Sequence, residues 1–348
     1  MNYTPITLIG FGVAGQLLLS HILDRIPAQK IAIIDPDFIG GDLARDYSAI
    51  NTNTTIAQKV TAFLSIQNSK WSDTAIALNG RGNSNDCVSI ASLAADIRMT
   101  GHRLATTCRQ IYDEVDDAAW DAVKKTWRLT FKSKRPQHTT SILCVCTGMV
   151  PRQDDYGIPI IPLRTALDPI ALARIVNPGQ QVAIIGSAHS ATLIMKHLGT
   201  IPDVSATCLY RGNEPFKYAR DGQYGGIKQE SAAIADAILR GEYDRLSLVP
   251  ITDICGLSCA LRNANWIIQA TGFNSRMIHF TTDKEVQPTW DPATGLAPEL
   301  PQVQAFGACI PNVSVVEGKK YPDISVGSFI DQLVIRWPLL QTQIDQVI

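Results

Sequence analysis

Two segments of the chain share one design, and they constrain the fold more than any other feature. The first is ITLIGFGVAGQLLLSHIL, residues 6–23, and the second is QQVAIIGSAHSATLIMKHL, residues 181–198. Each begins with a short β-branched apolar run, passes through a glycine turn and continues with apolar residues at helical spacing. A further apolar run follows each of them, over residues 30–37 and 204–211. The pattern predicts two separate β-α-β units, each with parallel strands.

The first unit carries Gly10-x-Gly12-x-x-Gly15 where its strand gives way to its helix. In this context the first glycine permits a tight turn, the second lets the backbone approach a pyrophosphate, and the third lets the helix pack on its strand. The N-terminus of the helix offers free N–H groups and a positive dipole end to a diphosphate. Asp35 ends the next strand, where a carboxylate can bind a ribose diol. The predicted dinucleotide contacts are Gly10, Gly12, Val13, Ala14, Gly15 and Asp35.

Two crossings between the units are expected. Residues 141–146 form an apolar run that ends in Thr147-Gly148, and a proline-rich stretch follows. Proline fixes its own φ and disfavours helix at the residue before it, so this stretch should be extended. Residues 263–273 repeat the pattern, an apolar run closed by Thr271-Gly272.

The length of 348 residues exceeds the usual limit of a single core, about 250–300 residues, so two domains are expected. We predict an α/β fold with two Rossmann-like dinucleotide-binding domains, the second inserted into the first. The first domain should comprise residues 1–155 and 265–348, and the second residues 156–264. The last part of the chain should contain a strand over residues 303–311 and a helix over residues 326–341.

The segment after Asp35 suggests which dinucleotide the first unit binds. It contains the glycine pair Gly40-Gly41, then Arg45 and the polar run NTNTT over residues 51–55. Here the sequence resembles the FAD-binding half of the two-dinucleotide-binding-domain flavoproteins. The resemblance implies that the glycine pair and the polar run lie along an FAD. An ordinary surface loop is the alternative.

The second glycine motif departs from the pattern of that family at one position. Its outline is G-x-G-x-S-A/G, and here Ala188 replaces the second glycine, which makes the approach of a diphosphate less certain. The resemblance assigns this unit to the nicotinamide cofactor, with Gly186, Ser187 and Ser190 as contacts. The next strand ends without an acidic residue and leads to Arg211, whose guanidinium suits a 2′-phosphate. This favours NADPH over NADH.

The two Thr-Gly turns strengthen the resemblance. Ala270-Thr271-Gly272-Phe273 is especially similar to the ATGY/ATGF element of the N-hydroxylating flavin monooxygenases, and the order of motifs matches from residue 6 to about 340. The family implies an FAD-dependent oxidoreductase that uses NADPH. Most specifically, it implies a monooxygenase that oxidises a small nucleophilic substrate through a C4a-(hydro)peroxyflavin. The flavin-contact residues implied near the two turns are Thr147, Gly148, Thr271 and Gly272.

We expect the isoalloxazine where the polar run, the two Thr-Gly turns and the start of the last helix converge. Asn51 and Asn53 alternate in an extended run, so both can face the same side. An amide both donates and accepts hydrogen bonds, which makes these two residues the candidate catalytic pair. Ser325 begins a helix whose positive end could stabilise an anionic reduced flavin. The alternative is that the asparagines only cap turns.

Other functions remain open or are disfavoured. The chain contains no C-x-x-C, which argues against a disulfide reductase, and residues 155–180 contain neither the histidine nor the tryptophan of a Baeyer–Villiger fingerprint. A flavin reductase or dehydrogenase that does not use oxygen stays open. So does a non-catalytic redox sensor or interaction module, because of Ala188.

Composition restricts the partners. The chain has 31 Lys and Arg against 32 Asp and Glu, so it lacks the charge of a dedicated nucleic-acid binder. No apolar run approaches the roughly 20 residues that span a bilayer, and the N-terminal region lacks the basic start of a signal peptide. Eight cysteines are too few for a disulfide scaffold and have no zinc-finger spacing. We expect a reduced, cytoplasmic protein with a small-molecule substrate, no metal, no nucleic acid and no membrane contact. A homo-oligomer stays open.

Overall fold

The structure is a computed structural model that describes residues 2–66, 69–219, 226–316 and 319–348. The strands are β1 (Tyr3–Ile9), β2 (Ile31–Asp35), β3 (Asn51–Thr55), β4 (Cys87–Ser89), β5 (Arg109–Tyr112), β6 (Val115–Asp121), β7 (Thr126–Phe131), β8 (His138–Val145), β9 (Met149–Pro151), β10 (Gln181–Ile185), β11 (Ser205–Tyr210), β12 (Leu246–Pro250), β13 (Trp266–Gln269), β14 (Phe273–Ser275), β15 (His279–Thr281), β16 (Glu285–Val286), β17 (Val303–Ala305), β18 (Asn312–Val316) and β19 (Lys319–Asp323). The helices are α1 (Val13–Ile22), α2 (Asp42–Asp46), α3 (Ile56–Leu64), α4 (Ser72–Asn79), α5 (Ile90–Ala105), α6 (Leu163–Ala166), α7 (Pro169–Ala173), α8 (His189–Gly199), α9 (Glu230–Leu239), α10 (Ile254–Asn263) and α11 (Val326–Val347).

The larger sheet contains β1, the strand that precedes the first glycine motif, and β8, the long strand that precedes Thr147-Gly148. Five strands run parallel in the order β5-β2-β1-β8-β17. Strand β8 also pairs antiparallel with β7 over residues 138–140, whereas its pairing with β17 over residues 143–145 is parallel. Strands β7, β6, β15 and β16 then extend the sheet. The result is the predicted parallel sheet with a mixed extension, in which β6 and β15 are parallel and the other pairs antiparallel, that the sequence pattern did not predict.

Side-chain alternation in β2 explains why this sheet is buried on both faces. Ile31 and Ile33 pack into the core on the side of α1, α5 and α11, whereas Ala32 and Ile34 pack into the core around β6 and β7. Parallel strands covered on both faces have this continuous apolar character. All five residues of β2 are buried, including Asp35 at its end.

The smaller sheet has four parallel strands in the order β12-β11-β10-β13. Helix α8 follows β10 and packs against β11, which is the second predicted β-α-β unit. Again the strand residues alternate: Val182 and Ile184 enter one core and Ala183 the other. The strands of this sheet lie between residues 181 and 269, and the strands of the larger sheet come both before and after them in the chain. The domain boundaries themselves stay a prediction.

The two expected crossings lie side by side. Strands β9 and β14 pair antiparallel, with Pro151 opposite Phe273 and Met149 opposite Ser275. The backbone N–H of Arg152 also donates to the carbonyl of Gly272 at 2.9 Å. The chain therefore leaves and re-enters the larger sheet through one two-stranded ribbon, next to both Thr-Gly turns.

Two features differ from the sequence prediction near the C-terminus. The strand predicted over residues 303–311 is shorter and ends at Ala305, because Gly307 has a φ of +79° and starts a 3-10 turn after β17. The N–H of Gly307 donates to the side chain of Gln332 at 2.6 Å instead of to a strand. Helix α11 is longer than predicted and continues through Pro338 to Val347.

Helices α3, α4 and α5 form a layer beside α1 that the sequence pattern did not predict. Thr55 begins α3 with a capping box: its hydroxyl accepts from the N–H of Gln58, whose side chain accepts from the N–H of Thr55. Among the helices of the described residues, none combines the length and the apolar character needed to cross a membrane.

Candidate functional site

A cleft of about 1180 Å³ opens at the carboxyl ends of β1, β2 and β8 and reaches the N-termini of α1, α8 and α11. Thirteen of the predicted site residues line it: Gly10, Gly12, Val13, Ala14, Asp35, Gly41, Arg45, Asn51, Asn53, Thr147, Gly148, Ser190 and Ser325. Six others do not: Gly15, Gly186, Ser187, Arg211, Thr271 and Gly272. Ligands bind α/β sheets at this end of the strands, which is where the sequence predicted the site.

The three glycines of the first motif have different roles. A Cβ on Gly10, whose φ is +94°, would lie 2.4 Å from the carbonyl oxygen of Cys146, and a Cβ on Gly15 would lie 2.2 Å from the carbonyl oxygen of Gly10. These two glycines are therefore required by the packing of the protein itself. A Cβ on Gly12 would meet only Gly41, at an ordinary 3.6 Å. Glycine at position 12 therefore keeps space in the cleft rather than in the protein core.

The N-terminus of α1 is open to the cleft. Gly12 is its N-cap and has no side chain to accept hydrogen bonds from the first turn, where Val13 and Ala14 line the cleft. The first N–H groups of a helix have no partner within the helix, and its dipole is positive there. This end of α1 can therefore bind an anionic group.

Asp35 uses its carboxylate within the protein. Its Oδ2 accepts from the N–H of Phe11 at 2.7 Å, and its Oδ1 accepts from the N–H groups of Asp37 and Phe38 at 3.1 and 2.8 Å. Burial raises the pKa of Asp35 even though these bonds lower it. A carboxylate has about four acceptor sites, so little capacity remains for a ribose. The role of Asp35 in ribose binding stays a prediction.

Asp37 is the more exposed acid at this edge. Arg45 donates to its Oδ2 from Nη2 at 2.6 Å and from Nε at 3.1 Å. Burial opposes ionisation of Asp37, but the hydrogen bonds from Arg45 and from the N–H of Ile39, together with the positive charge of Arg45, lower its pKa. Arg45 also donates to Asp42 at 3.1 Å. The predicted cofactor contact Arg45 is therefore held in place by two carboxylates that follow β2.

The polar strand β3 brings Asn51 and Asn53 to the cleft in different states. Asn51 donates from Nδ2 to Oε2 of Glu230 at 3.2 Å, across to α9 of the smaller sheet. The side chain of Asn53 makes no hydrogen bond within the described part of the chain, so its carboxamide group is free to bind a ligand. The geometry therefore supports a ligand contact by Asn53 more than one by Asn51, and the catalytic role of the pair stays a prediction.

The second glycine motif repeats the packing of the first. A Cβ on Gly186, whose φ is +105°, would lie 2.5 Å from the carbonyl oxygen of Ala270. A Cβ on Gly10 would contact the carbonyl oxygen of Cys146 in the same way. Ala188 is the N-cap of α8 with φ −89° and ψ −164°, close to the −71° and −168° of Gly12. Its methyl group is one difference between the two helix starts, and Ala191 in place of the third glycine is another.

Two side chains at the start of α8 face the cleft, His189 and Ser190. The Nδ1 of His189 is buried and has no hydrogen-bond partner among the described residues. Burial lowers the pKa of His189, so the ring is neutral at physiological pH. Arg211 is exposed beyond β11 and has no ion-pair partner in the described ranges. The geometry leaves its role as a 2′-phosphate contact untested.

Two other predicted contacts have hydroxyls that are already engaged. Thr147 donates from Oγ1 to the carbonyl oxygen of Arg276. Ser325 is the N-cap of α11, and its Oγ accepts from the N–H of Ser328 at 3.1 Å. The hydroxyl of Thr147 can therefore still accept a hydrogen bond from a cofactor, and that of Ser325 can still donate one.

Sequence reasoning missed several residues that line the cleft or hold its walls, namely Asp37, Lys59, Glu230 and Arg276. Arg276 follows the Ala-Thr-Gly-Phe element by three positions, so a charged residue beside a recognised turn was the available signal. Lys59 and Glu230 lie on helices whose packing the sequence pattern does not specify, and no sequence signal identifies them.

Comparison with known proteins supports the same fold. No protein-family model matches the chain. The monooxygenase AgnR1 of Paecilomyces divaricatus is 26% identical over 214 residues, which are 55% of this chain and 53% of that protein. The chain thus matches about half the length of this curated relative.

Solved structures match over the whole chain. A flavin-containing monooxygenase from Stenotrophomonas maltophilia has a TM-score of 0.62 at 15% identity, covering 100% of this chain and 98% of that one. A bacillithiol disulfide reductase from Staphylococcus aureus has a TM-score of 0.60 at 12% identity, covering 99% of both chains. The FAD-bound cadaverine monooxygenase DfoA of Erwinia amylovora has a TM-score of 0.60 at 13% identity, covering 87% of both chains. Likeness at such low identity shows the fold, and the chain has the fold of the two-dinucleotide-binding-domain flavoproteins, as its motifs predict.

Proposed function

We propose that the chain is an FAD-dependent oxidoreductase that uses NADPH, and specifically a monooxygenase that acts on a small nucleophilic substrate. One observation carries the proposal: a single cleft joins the uncapped start of α1, at Gly12, to the uncapped start of α8, at His189 and Ser190. A hydride donor and a hydride acceptor must lie in one cavity to react, and a dinucleotide at each helix start would meet that condition.

The residues at α1 fit an FAD. The start of the helix supplies N–H donors for a diphosphate, and the absent Cβ of Gly12 leaves room for it. Arg45 and Asp37 provide a charged edge beyond β2. The volume of about 1180 Å³ exceeds the upper end of ordinary small-molecule pockets, roughly 1,000 Å³, so it can hold a large cofactor together with a substrate.

The residues at α8 fit the phosphate side of a nicotinamide dinucleotide, with one restriction. Gly186 has the same close packing as Gly10, and Ser190 supplies a hydroxyl at the helix start. The methyl group of Ala188 narrows the approach to the backbone. We assign Arg211 to the 2′-phosphate, because it is exposed and has no ion-pair partner in the described chain.

A bound flavin would supply hydride acceptance and oxygen activation, so the protein need only position the reactants and exclude water. Asn53 offers an amide with no hydrogen bond in the described residues. The N-terminus of α11, at Ser325 and Gly327, points a positive helix end into the same cleft. The monooxygenase relative supports the use of oxygen.

A second candidate function follows from Ala188. If its methyl group prevents productive binding of NADPH, the protein would be a flavoprotein reduced by another donor or a non-catalytic redox sensor. Ala188→Gly distinguishes the two functions, because it removes the methyl group at the N-cap of α8, where α1 has Gly12.

The test is spectroscopic. Purified protein reconstituted with FAD should show flavin absorption, which anaerobic NADPH should bleach and air should restore. Substrate turnover should then consume oxygen and NADPH in equal amounts. Protein that binds no FAD contradicts the proposal. Protein that holds FAD but is reduced by NADPH only after Ala188→Gly supports the second candidate.

A further inference from the structure

Lys59 occupies an unusual position on α3. It lines the cleft, yet the residue is only 4% exposed. Its Nζ turns back towards the start of its helix and donates to the carbonyl oxygens of Thr54 and, at 3.4 Å, Thr55. The N-terminus of a helix carries a positive dipole, which disfavours a cation there. The position is therefore electrostatically unfavourable for the folded protein alone.

The other lysine and arginine side chains that line the cleft are paired with acids. Arg45 lies 2.6 Å from Asp37, Arg276 lies 2.9 Å from Asp42, and Lys132 pairs with Glu114.

Lys59 differs from these three. Within residues 2–66, 69–219, 226–316 and 319–348 it has no carboxylate within 4 Å. A buried charge without a counter-charge is costly, and proteins seldom keep one without a ligand or a partner. Among the described residues the ammonium group has only carbonyl oxygens as partners, so an anionic ligand could supply the missing counter-charge.

The surroundings of Lys59 suit the end of a small organic molecule. Thr54, whose carbonyl accepts from Lys59, directly follows the free amide of Asn53 in β3. Three apolar residues also line the same cleft: Ala62, three positions after Lys59 in α3, and Ile90 and Leu93 of α5. A ligand bound here would meet one cation, polar groups of β3 and an apolar surface.

We infer that Lys59 binds an anionic group, such as a carboxylate, of the substrate. This rests on the proposed function, since it names the substrate class of the same site: a small molecule with a nucleophilic atom at one end and an anion at the other. Lys59 would then be a specificity-determining residue. The diphosphate of the cofactor has its own donors at the start of α1 and does not need Lys59.

Burial supports this assignment. It lowers the pKa of Lys59 to about 8, and the nearby Lys228 lowers it further, while Cys87 acts in the opposite direction. The amine is thus still largely charged at neutral pH, although it has no acid beside it. An anion at Nζ would remove the penalty that burial imposes.

The test uses a matched pair of probes, methylthiopropanoate and methylthiopropanol. Both carry the same soft sulfur atom, and only the first carries a carboxylate. Their dissociation constants are measured on the FAD-loaded protein from flavin difference spectra. The wild type should bind the carboxylate about ten- to a hundredfold more tightly than the alcohol, the range expected for a charged hydrogen bond.

Three variants complete the experiment. Lys59→Met should bring the ratio of the two dissociation constants close to one, whereas Lys59→Arg and the exposed control Lys124→Met should keep it. Equal binding of the two probes by the wild type overturns the inference. So does an unchanged ratio in Lys59→Met, and so does loss of FAD with an unchanged ratio, which would make Lys59 a cofactor contact.

The results that would contradict the proposed function differ from those that would contradict the role of Lys59. Protein that takes up no FAD, or whose flavin NADPH cannot reduce, contradicts the proposed function. Calorimetric titration with the same two probes needs no flavin, and it still decides whether Lys59 selects the carboxylate.

Discussion

Arg276 donates from Nη1 to Oδ1 of Asp42 at 2.9 Å, and the same guanidinium donates to the carbonyl oxygens of Thr147 and Met149 at 3.0 and 3.1 Å. Asp42 starts the short helix after the glycine pair, and Arg276 directly follows β14. One side chain thus connects the loop that follows β2 to both crossings. There is no room for anything larger than glycine at position 148, whose Cβ would lie 2.6 Å from Oδ2 of Asp42.

A double-mutant cycle should detect this connection. Asp42→Asn and Arg276→Gln should each lower the free energy of unfolding by about 1–2 kcal/mol, since each removes a charged hydrogen bond. Both side chains are partly exposed, so water screens the pair, and the coupling energy should be about 1 kcal/mol. Urea unfolding measures it. The surface pair Asp121 and Lys124 provides the control, with coupling near zero. Strict additivity at Asp42 and Arg276 would contradict the prediction.

A substitution at Gly12 should affect cofactor binding without affecting the stability of the fold. In Gly12→Ala the new Cβ meets Gly41 at an ordinary 3.6 Å, so thermal stability should stay close to that of the wild type. The methyl group would enter the space assigned to the diphosphate, and overpacking of this kind should weaken FAD binding by about tenfold or more. Equilibrium dialysis of FAD is the measurement, and Gly80→Ala is the control. Unchanged FAD affinity would mean that the diphosphate does not pass over Gly12.

Local patterns predicted the glycine turns well, because the turn at Gly10 or Gly186 depends on a few consecutive residues and on the strand beneath it. They could not predict how the carboxylate of Asp35 is used. That depends on three N–H groups of the surrounding loops, and their positions follow from tertiary packing. The layer of α3, α4 and α5 was missed for a related reason: helical spacing shows which face is apolar but not what that face packs against.

The two asparagines of β3 should behave differently when replaced. Asn53→Ala removes a free amide from the cleft, so it should change flavin reoxidation or the coupling of NADPH use to product formation. Asn51→Ala removes the contact with Glu230 at 3.2 Å and should mainly affect how α9 sits against β3. Rapid-mixing kinetics on FAD-loaded proteins separate these steps. Identical kinetics of Asn53→Ala and the wild type would place the reactive region elsewhere.

We predict that Arg211 determines the choice between NADPH and NADH. Arg211→Ala should weaken NADPH by about ten- to a hundredfold and leave NADH little changed, because a charged hydrogen bond to the 2′-phosphate would be lost. The exposed Arg262 at the end of α10 offers a matched control, and Arg262→Ala should change neither. The dissociation constants come from anaerobic titration of flavin reduction. Equal loss of NADPH and NADH would rule out a role at the 2′-phosphate.

The charge of Lys59 gives the anion site a pH dependence. Burial lowers the pKa of Lys59 to about 8, the neighbouring Cys87 opposes this shift and Lys228 adds to it, and burial raises the pKa of the Cys87 thiol itself. Below pH 8 the ammonium form attracts a carboxylate, and above it the neutral amine does not. The preference of the wild type for methylthiopropanoate over methylthiopropanol should therefore be greatest near neutral pH and fall as the pH rises through about 8.

Lys59→Arg provides the internal control for this titration. A guanidinium stays protonated up to about pH 12, so the preference of this variant should be constant between about pH 6 and pH 10. Saturation with the carboxylate should also move the wild-type midpoint upwards, because a bound anion stabilises the charged amine. Flavin difference spectra recorded across this range measure both effects. A wild-type preference that does not change with pH would show that the ammonium group of Lys59 is not the anion-binding group.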